Sequence, residues 1–101
     1  MIIKCLKGQE ILATKGIQTR EFNYVDNVVD GLMSAGQSDE GVGEVINIAS
    51  GEEISIKDLI LKIHNLSDSR SKLKIGALDY RPTEIWRMSG DSTKAKRLLS
   101  W

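Results

Sequence analysis

The chain has 101 residues, a length suited to one domain, and its 14 lysines and arginines balance 14 acidic residues. It therefore has no net charge to attract nucleic acid or an anionic membrane. Cys5 is the single cysteine, which excludes an intrachain disulfide and suits a reducing cytosol. No apolar run approaches the roughly 18 residues of a membrane span. We therefore expect a soluble, cytoplasmic protein that binds neither nucleic acid nor membranes.

The first predicted elements are short. Ile2, Ile3 and Leu6 share one helical face, and Gly8 stands where a helix C-terminal glycine is expected. A helix this short nucleates poorly alone, so we expect the chain to begin inside an element of a longer fold. Residues 10–14 then predict a short strand, which Gly16 breaks.

A second helix follows an extended segment in which Phe22 and Tyr24 alternate with polar residues. Asp26 is the predicted N-cap of this helix, and Gly36 is its predicted end. Residues 45–49 are nearly all apolar, which is typical of a parallel strand buried on both faces. Such a strand would lack neighbours in this chain, and its open edge predicts a homo-oligomer.

The third helix has the clearest pattern in the chain. Ser55 and Asp58 form a variant of the capping box with Asp in place of Glu. Apolar residues then follow at helical spacing, namely Ile56, Leu59, Ile60, Ile63 and Leu66. Residues 67–69, Ser-Asp-Ser, are expected to end the helix. The lone histidine, His64, has no partners at ligand spacing and is interpreted as a helix-end residue at the rim of the core.

Leu73 and Ile75 alternate with other residues and predict a further short strand. Asp91 or Ser92 is expected to cap a last helix, whose inward residues are Ala95, Leu98 and Leu99. Strands and helices alternate, so the fold class is predicted to be α/β, with short strands, three to four helices and at least one buried strand of parallel type. We expect residues 1–101 to form a single partial domain.

The stretch with the most binding chemistry contains Arg81, Pro82 and Glu84. A residue before proline is held extended, so the Arg81 guanidinium can point across a groove, where its planar donors suit phosphate or carboxylate. Glu84 can accept hydroxyl protons, as from a ribose, so the pair suits a nucleotide diphosphate carrying a sugar. A local surface ion pair between Arg81 and Glu84 is the simpler alternative, and stereochemistry alone favours it.

Arg20 precedes a helix N-terminus, where fixed dipoles favour anions, and it joins Arg81 and Glu84 as a candidate for substrate binding. An ordinary surface arginine is the alternative for Arg20. The weaker candidates are Tyr24, Asn47 and Arg87. Residues 41–43, Gly-Val-Gly, supply only two of the three glycines of a dinucleotide fingerprint. No nucleophilic triad or paired carboxylate stands out. We therefore expect no catalytic, cofactor-binding or metal-binding residue in this chain.

Four segments in order resemble the C-terminal part of the extended short-chain dehydrogenase/reductase family, the NAD-dependent nucleotide-sugar epimerases and dehydratases. They are residues 18–28 (QTREFNYVDNV), 45–51 (VINIASG), 54–56 (ISI) and 81–101, which run from RPTE through GDSTKAK to LSW. The resemblance covers nearly the whole chain. The family commonly has Asp at the positions of Glu21 and Asn27 and Gly at that of Ala49.

The resemblance implies a full-length enzyme in which an N-terminal Rossmann domain binds NAD and carries a Tyr-x-x-x-Lys pair. Tyr24 and Tyr80 are followed four residues later by Val28 and Glu84, so that pair is absent here. The family contacts a nucleotide diphosphate through arginines that match Arg20 and Arg81 and holds ribose hydroxyls with the carboxylate that matches Glu84. The expected function is nucleotide-sugar binding, inactive alone. The alternative is a non-catalytic interaction module that keeps the fold without binding nucleotide.

Overall fold

The computed structural model describes residues 1–101 and contains four helices and four short strands. In chain order these are α1 (Ile2–Leu6), β1 (Ile11–Ala13), β2 (Thr19–Arg20), α2 (Val25–Gln37), β3 (Ile54–Ser55), α3 (Ile56–Leu66), β4 (Leu73–Ile75) and α4 (Thr93–Leu99). The predicted α/β class is therefore confirmed. The chain divides into two compact units, residues 1–20 with 54–87 (unit 1) and residues 21–53 with 88–101 (unit 2).

Unit 1 contains both two-stranded sheets. Strand β1 runs parallel to β4, with Ile11 opposite Leu73, while β2 is antiparallel to β3. The parallel pairing thus joins the two short strands predicted at residues 10–14 and at Leu73 and Ile75. Cys5, Ile11 and Ile60 form the buried apolar core of this unit, where α1 packs on α3.

Helix α3 begins and ends where the sequence predicts. The Ser55 hydroxyl accepts the backbone N–H of Asp58 at 3.1 Å, which satisfies one of the free donors of the first turn. At the other end, Ser67 is the C-cap. His64 lies half-buried in the last turn with its Nε2 at 2.9 Å from the carbonyl oxygen of Ser71. The prediction of a helix-end histidine at the rim of the core is confirmed.

Unit 2 consists of α2, α4 and the irregular segments that flank them within residues 21–53 and 88–101. Ala49, Ala95 and Leu99 are its buried apolar residues. The Trp101 indole Nε1 donates a hydrogen bond of 3.0 Å to the carbonyl oxygen of Asn27 on α2. Because α4 contacts α2 and the last residue returns to α2, the chain's final segment is an integral part of this unit.

Three predictions for unit 2 are wrong. Residues 45–49 form no strand, since no other segment pairs with them, and Val45 is 85% exposed while Ile46 and Ile48 are half-buried. Asp26 is not the N-cap of α2. The N-cap is Tyr24. Asp26 lies in the first turn, where its negative charge interacts favourably with the positive end of the helix dipole. The helix also continues through Gly36 to Gln37, because one glycine weakens a helix without having to end it.

Gly8 and Gly16 form a matched pair for testing the packing of unit 1. Their φ angles are +68° and +69°, but a Cβ on Gly8 would meet nothing within 4 Å, whereas a Cβ on Gly16 would lie 2.5 Å from the backbone nitrogen of Lys57. Gly8→Ala is expected to lower the free energy of unfolding by about 1–2 kcal/mol through left-handed strain alone. Gly16→Ala adds a backbone clash, so its loss is expected to be larger by about 1–3 kcal/mol.

Urea unfolding of the two variants measures this difference. If both variants lost the same free energy of unfolding, the backbone at the start of α3 would have to move away from the new Cβ at position 16 without destabilising the protein.

Candidate functional site

The site begins with a turn at residues 81–84. The backbone N–H of Glu84 donates to the carbonyl oxygen of Arg81 at 3.1 Å, which closes the turn, and Pro82 occupies its second position, where the fixed φ of proline is favoured. Arg81 Nε lies 3.4 Å from Glu84 Oε2. The local ion pair that the spacing favours is therefore present, as the weaker contact of a larger cluster.

The stronger contact of that cluster comes from Arg20. Its Nη2 lies 3.0 Å from Glu84 Oε1, and its Nη1 donates at 2.7 Å to the carbonyl oxygens of Thr19 and Ile85. Strand β2 fixes the backbone of Arg20 by pairing it with Ile54. The structure thus joins all three predicted site residues, Arg20, Arg81 and Glu84, through one carboxylate.

The three side chains differ sharply in exposure. The Glu84 side chain is 6% exposed and that of Arg20 20%, whereas that of Arg81 is 77% exposed. Guanidinium does not lose its proton in proteins, so the cluster carries two positive charges against one negative. Because Arg81 keeps most of its surface in solvent, its free N–H groups can reach an anion. Glu84 receives one arginine on each oxygen and retains lone pairs for hydroxyl donors.

Two aromatic residues that the sequence analysis did not single out support the turn. The Tyr80 hydroxyl accepts the backbone N–H of Ile17 at 3.0 Å, and its ring meets Trp86 edge to face with centroids 4.6 Å apart. The Trp86 carbonyl oxygen in turn accepts the Thr19 N–H at 2.9 Å. Both residues flank the turn in sequence. An aromatic residue on each side of a charged turn is the sequence pattern that could have predicted their supporting role.

The weaker candidates are all exposed. Tyr24 and Asn47 are exposed residues of unit 2, and Arg87 is an exposed residue at the end of unit 1. Asn47 lines an open cavity of about 380 Å³ within unit 2, together with segments around Glu21 and Gly90. It does not lie in a buried strand, contrary to prediction.

Glu21 organises the loops of unit 2. Its Oε1 accepts the Ser50 N–H at 2.7 Å and the Asn23 side-chain amide at 2.7 Å, and its Oε2 accepts the Gly90 N–H at 2.8 Å. These donors stabilise the charged form, and the Asn23 amide and the Gly90 N–H hold the pKa of Glu21 below its ordinary value, with smaller help from Ser50 and Gly51. Sequence reasoning missed this role, because the three donors come from separate segments.

No group of three or more His, Cys, Asp and Glu side chains could hold a metal ion, and Cys5 is buried. No helix is long and apolar enough to cross a membrane. Residues 41–43 form a turn after a helix, and no helix begins until Ile56, so they do not fit the strand–turn–helix geometry of a dinucleotide loop.

Comparison with known protein families gives one match over the whole chain, as residues 1–101 match a family model described as GDP-mannose 4,6 dehydratase. UDP-glucuronic acid decarboxylase 5 of Arabidopsis thaliana is 33% identical over 101 residues, 99% of this chain and 28% of that protein. The UDP-N-acetyl-alpha-D-glucosaminuronate decarboxylase of Bacillus cytotoxicus is 43% identical over 70 residues, 67% of this chain and 21% of that protein. The chain thus spans between a fifth and a third of the length of these relatives.

Solved structures give the same result. UDP-glucuronic acid 4-epimerase of Bacillus cereus, in complex with UDP-glucuronic acid and NAD, superposes with a TM-score of 0.81 at 31% identity. That match covers 98% of this chain and 32% of the epimerase. An epimerase of Methanothermobacter thermautotrophicus superposes with a TM-score of 0.86 at 28% identity. This second match covers 98% of this chain and 30% of the chain of that epimerase. The resemblance to nucleotide-sugar epimerases and dehydratases is confirmed.

The lowered pKa of Glu21 predicts a pH-dependent stability. A carboxylate whose pKa is depressed by folding adds stability above its unfolded pKa, near 4.5, and loses it as the pH falls through the lower folded value. In Glu21→Gln the amide cannot accept all three donors. The variant is therefore expected to unfold more easily than wild type at neutral pH, and the difference is expected to shrink in acid.

Chemical denaturation across this pH range measures the difference, and Glu40→Gln, a change of an exposed carboxylate in the same unit, is the control. A wild-type advantage that stays constant from neutral pH into strong acid would contradict the assignment.

Proposed function

This chain belongs to the GDP-mannose 4,6 dehydratase family, and we propose that it supplies the nucleotide-sugar-binding part of an NAD-dependent epimerase or dehydratase. The observation that carries the proposal is the cluster in which Arg20 and Arg81 share the carboxylate of Glu84. Three of the relatives named above act on UDP-sugars according to their names, and one of these three is seen with UDP-glucuronic acid bound.

Each side chain has a distinct role in this proposal. Arg81, which is mostly exposed, binds the diphosphate with its free N–H groups. Arg20 lies deeper and is held by two carbonyl oxygens, so it supplies fixed positive charge behind the diphosphate and holds Glu84 in place. Glu84 accepts the ribose hydroxyls through the lone pairs that the arginines leave free.

We propose that residues outside this chain bind the NAD that the family uses. The Gly-Val-Gly turn at residues 41–43 lacks the helix that would direct backbone N–H groups at a pyrophosphate. No step of hydride or proton transfer is therefore assigned to this chain. We infer that the chain alone binds substrate without turning it over, as a single partial domain.

Residues 45–49 support the further proposal that copies of the chain associate. This apolar segment makes no backbone–backbone hydrogen bond, and Val45 is 85% exposed. Exposed apolar backbone with unpaired N–H and C=O groups recruits strands from other chains. A homo-oligomer would pair these segments and remove Val45 from water.

The binding role of Arg81 can be tested by calorimetry of the 101-residue chain with UDP-, GDP- and dTDP-sugars. Arg81→Ala is expected to weaken binding by about 1.5–3 kcal/mol, or about 10- to 150-fold in Kd, since a charge-assisted hydrogen bond to phosphate is lost. Because Arg81 is 77% exposed, its truncation should leave the fold largely unchanged.

Arg70→Ala is the matched control, since Arg70 is another exposed arginine of unit 1. Unchanged affinity in Arg81→Ala would refute the role of that side chain. Failure of the wild-type chain to bind any nucleotide sugar would favour the alternative, a non-catalytic interaction module that keeps the fold.

Association through residues 45–49 can be tested by sedimentation over a range of concentrations. The wild-type chain is expected to form dimers or larger oligomers, and Val45→Lys is expected to shift it towards monomer, because a charge on an open edge opposes pairing. Val42→Lys is the control, since Val42 is 79% exposed but lies outside the segment. A wild-type monomer at high concentration would contradict the proposal.

A further inference from the structure

The side chain of Trp86 is largely exposed to solvent, although the residue makes both a backbone hydrogen bond and a ring contact. Trp86 is 53% exposed, although tryptophan normally gains more than most residues from burial. Its backbone oxygen accepts the Thr19 N–H at 2.9 Å, and its ring meets Tyr80 edge to face. Tyr80 is itself fixed by its hydroxyl, which accepts the Ile17 N–H. The indole is therefore a preorganised aromatic surface.

This surface adjoins the charged cluster along the chain. Trp86 lies two residues beyond Glu84, a span of at most about 7 Å. Arg20 Nη1 donates to the carbonyl oxygen of Ile85, the residue between them. The same short segment thus carries the carboxylate, a carbonyl that orients an arginine, and the open indole.

A nucleoside diphosphate presents its groups in a matching order. Its base is separated from the diphosphate by one ribose, so a ligand whose phosphates meet Arg81 and whose ribose meets Glu84 carries its base one further step away. Resting on the function proposed above, we propose that Trp86 stacks on the nucleobase of the bound nucleotide sugar. Every base has an aromatic face, so this contact strengthens binding without selecting one base.

The stacking role separates Trp86 from a residue that only supports the turn. A stacking residue contributes to the binding of ligands that have a base and adds nothing for a ligand that lacks one. A supporting residue positions Arg81 and Glu84, so its loss would weaken both kinds of ligand alike. Uridine diphosphate and inorganic pyrophosphate are the two probes that make this distinction.

Calorimetry of the 101-residue chain with both probes tests the proposal. Trp86→Ala is expected to weaken uridine diphosphate binding by about 5- to 150-fold and to leave pyrophosphate binding unchanged. Trp86→Phe keeps an aromatic face and is expected to retain most of the uridine diphosphate affinity. It also guards against a Trp86→Ala chain that fails to fold.

Fluorescence provides an independent readout, since the chain has only two tryptophans, Trp86 and Trp101. Uridine diphosphate is expected to quench the emission of wild type and of Trp101→Phe but not that of Trp86→Phe. Adenosine diphosphate is expected to give a comparable quench, because stacking tolerates any base.

The outcomes distinguish the two proposals. If uridine diphosphate binds and Arg81→Ala weakens it while Trp86→Ala does not, the stacking role is wrong and the proposed function stands. An equal loss of both probes in Trp86→Ala, with Trp86→Phe behaving as wild type, would make Trp86 a supporting residue and also overturn the stacking role. If the wild-type chain binds none of uridine diphosphate, adenosine diphosphate and the UDP-, GDP- and dTDP-sugars, both proposals fail.

Discussion

The carboxylate of Glu84 is the interaction on which the candidate site depends. It is 6% exposed and lies between two guanidinium groups, so its charge is compensated where water is scarce. The pairing also fixes Arg20, which contacts a residue 64 positions away in sequence. Removal of Glu84 would leave a largely buried arginine without its partner, which costs more than the pair itself contributes. The side chain that holds Arg20 in place is therefore the same one that we propose to bind the ribose.

Glu21 uses the same chemistry in unit 2 with different donors. Backbone N–H groups and a side-chain amide replace the arginines, so the carboxylate joins loops and is not part of a charged pair. Its oxygens are occupied by the protein, whereas the exposed Arg81 of the other cluster keeps donors for a ligand. The two glutamates thus differ in their neighbours: those of Glu21 are all occupied within the protein, whereas the Glu84 cluster includes an accessible arginine, which is why we propose a binding role only for the second.

Helix α3 and the ion pair of the turn were predicted well from the sequence, whereas the boundaries of α2 and the distant pairings were not. Helix α3 followed from Ser55 and the apolar spacing, because capping and periodicity act within a few residues. The Arg81–Glu84 pair likewise followed from its spacing. The contact of Arg20 with Glu84 is set by the packing of unit 1 and has no local signature. Residues 45–49 have strand character but no ladder partner, and a strand exists only with one.

The cavity wall of unit 2 carries a constraint between two small residues. A Cβ placed on Gly90 would lie 2.5 Å from the Cβ of the buried Ala49, while the next nearest atoms are at 3.8 and 4.0 Å, ordinary contact distances. Only one methyl group fits between these two segments. A chain with glycine at position 49 therefore has space for alanine at position 90. Either position can carry the methyl group, but the two cannot both be alanine.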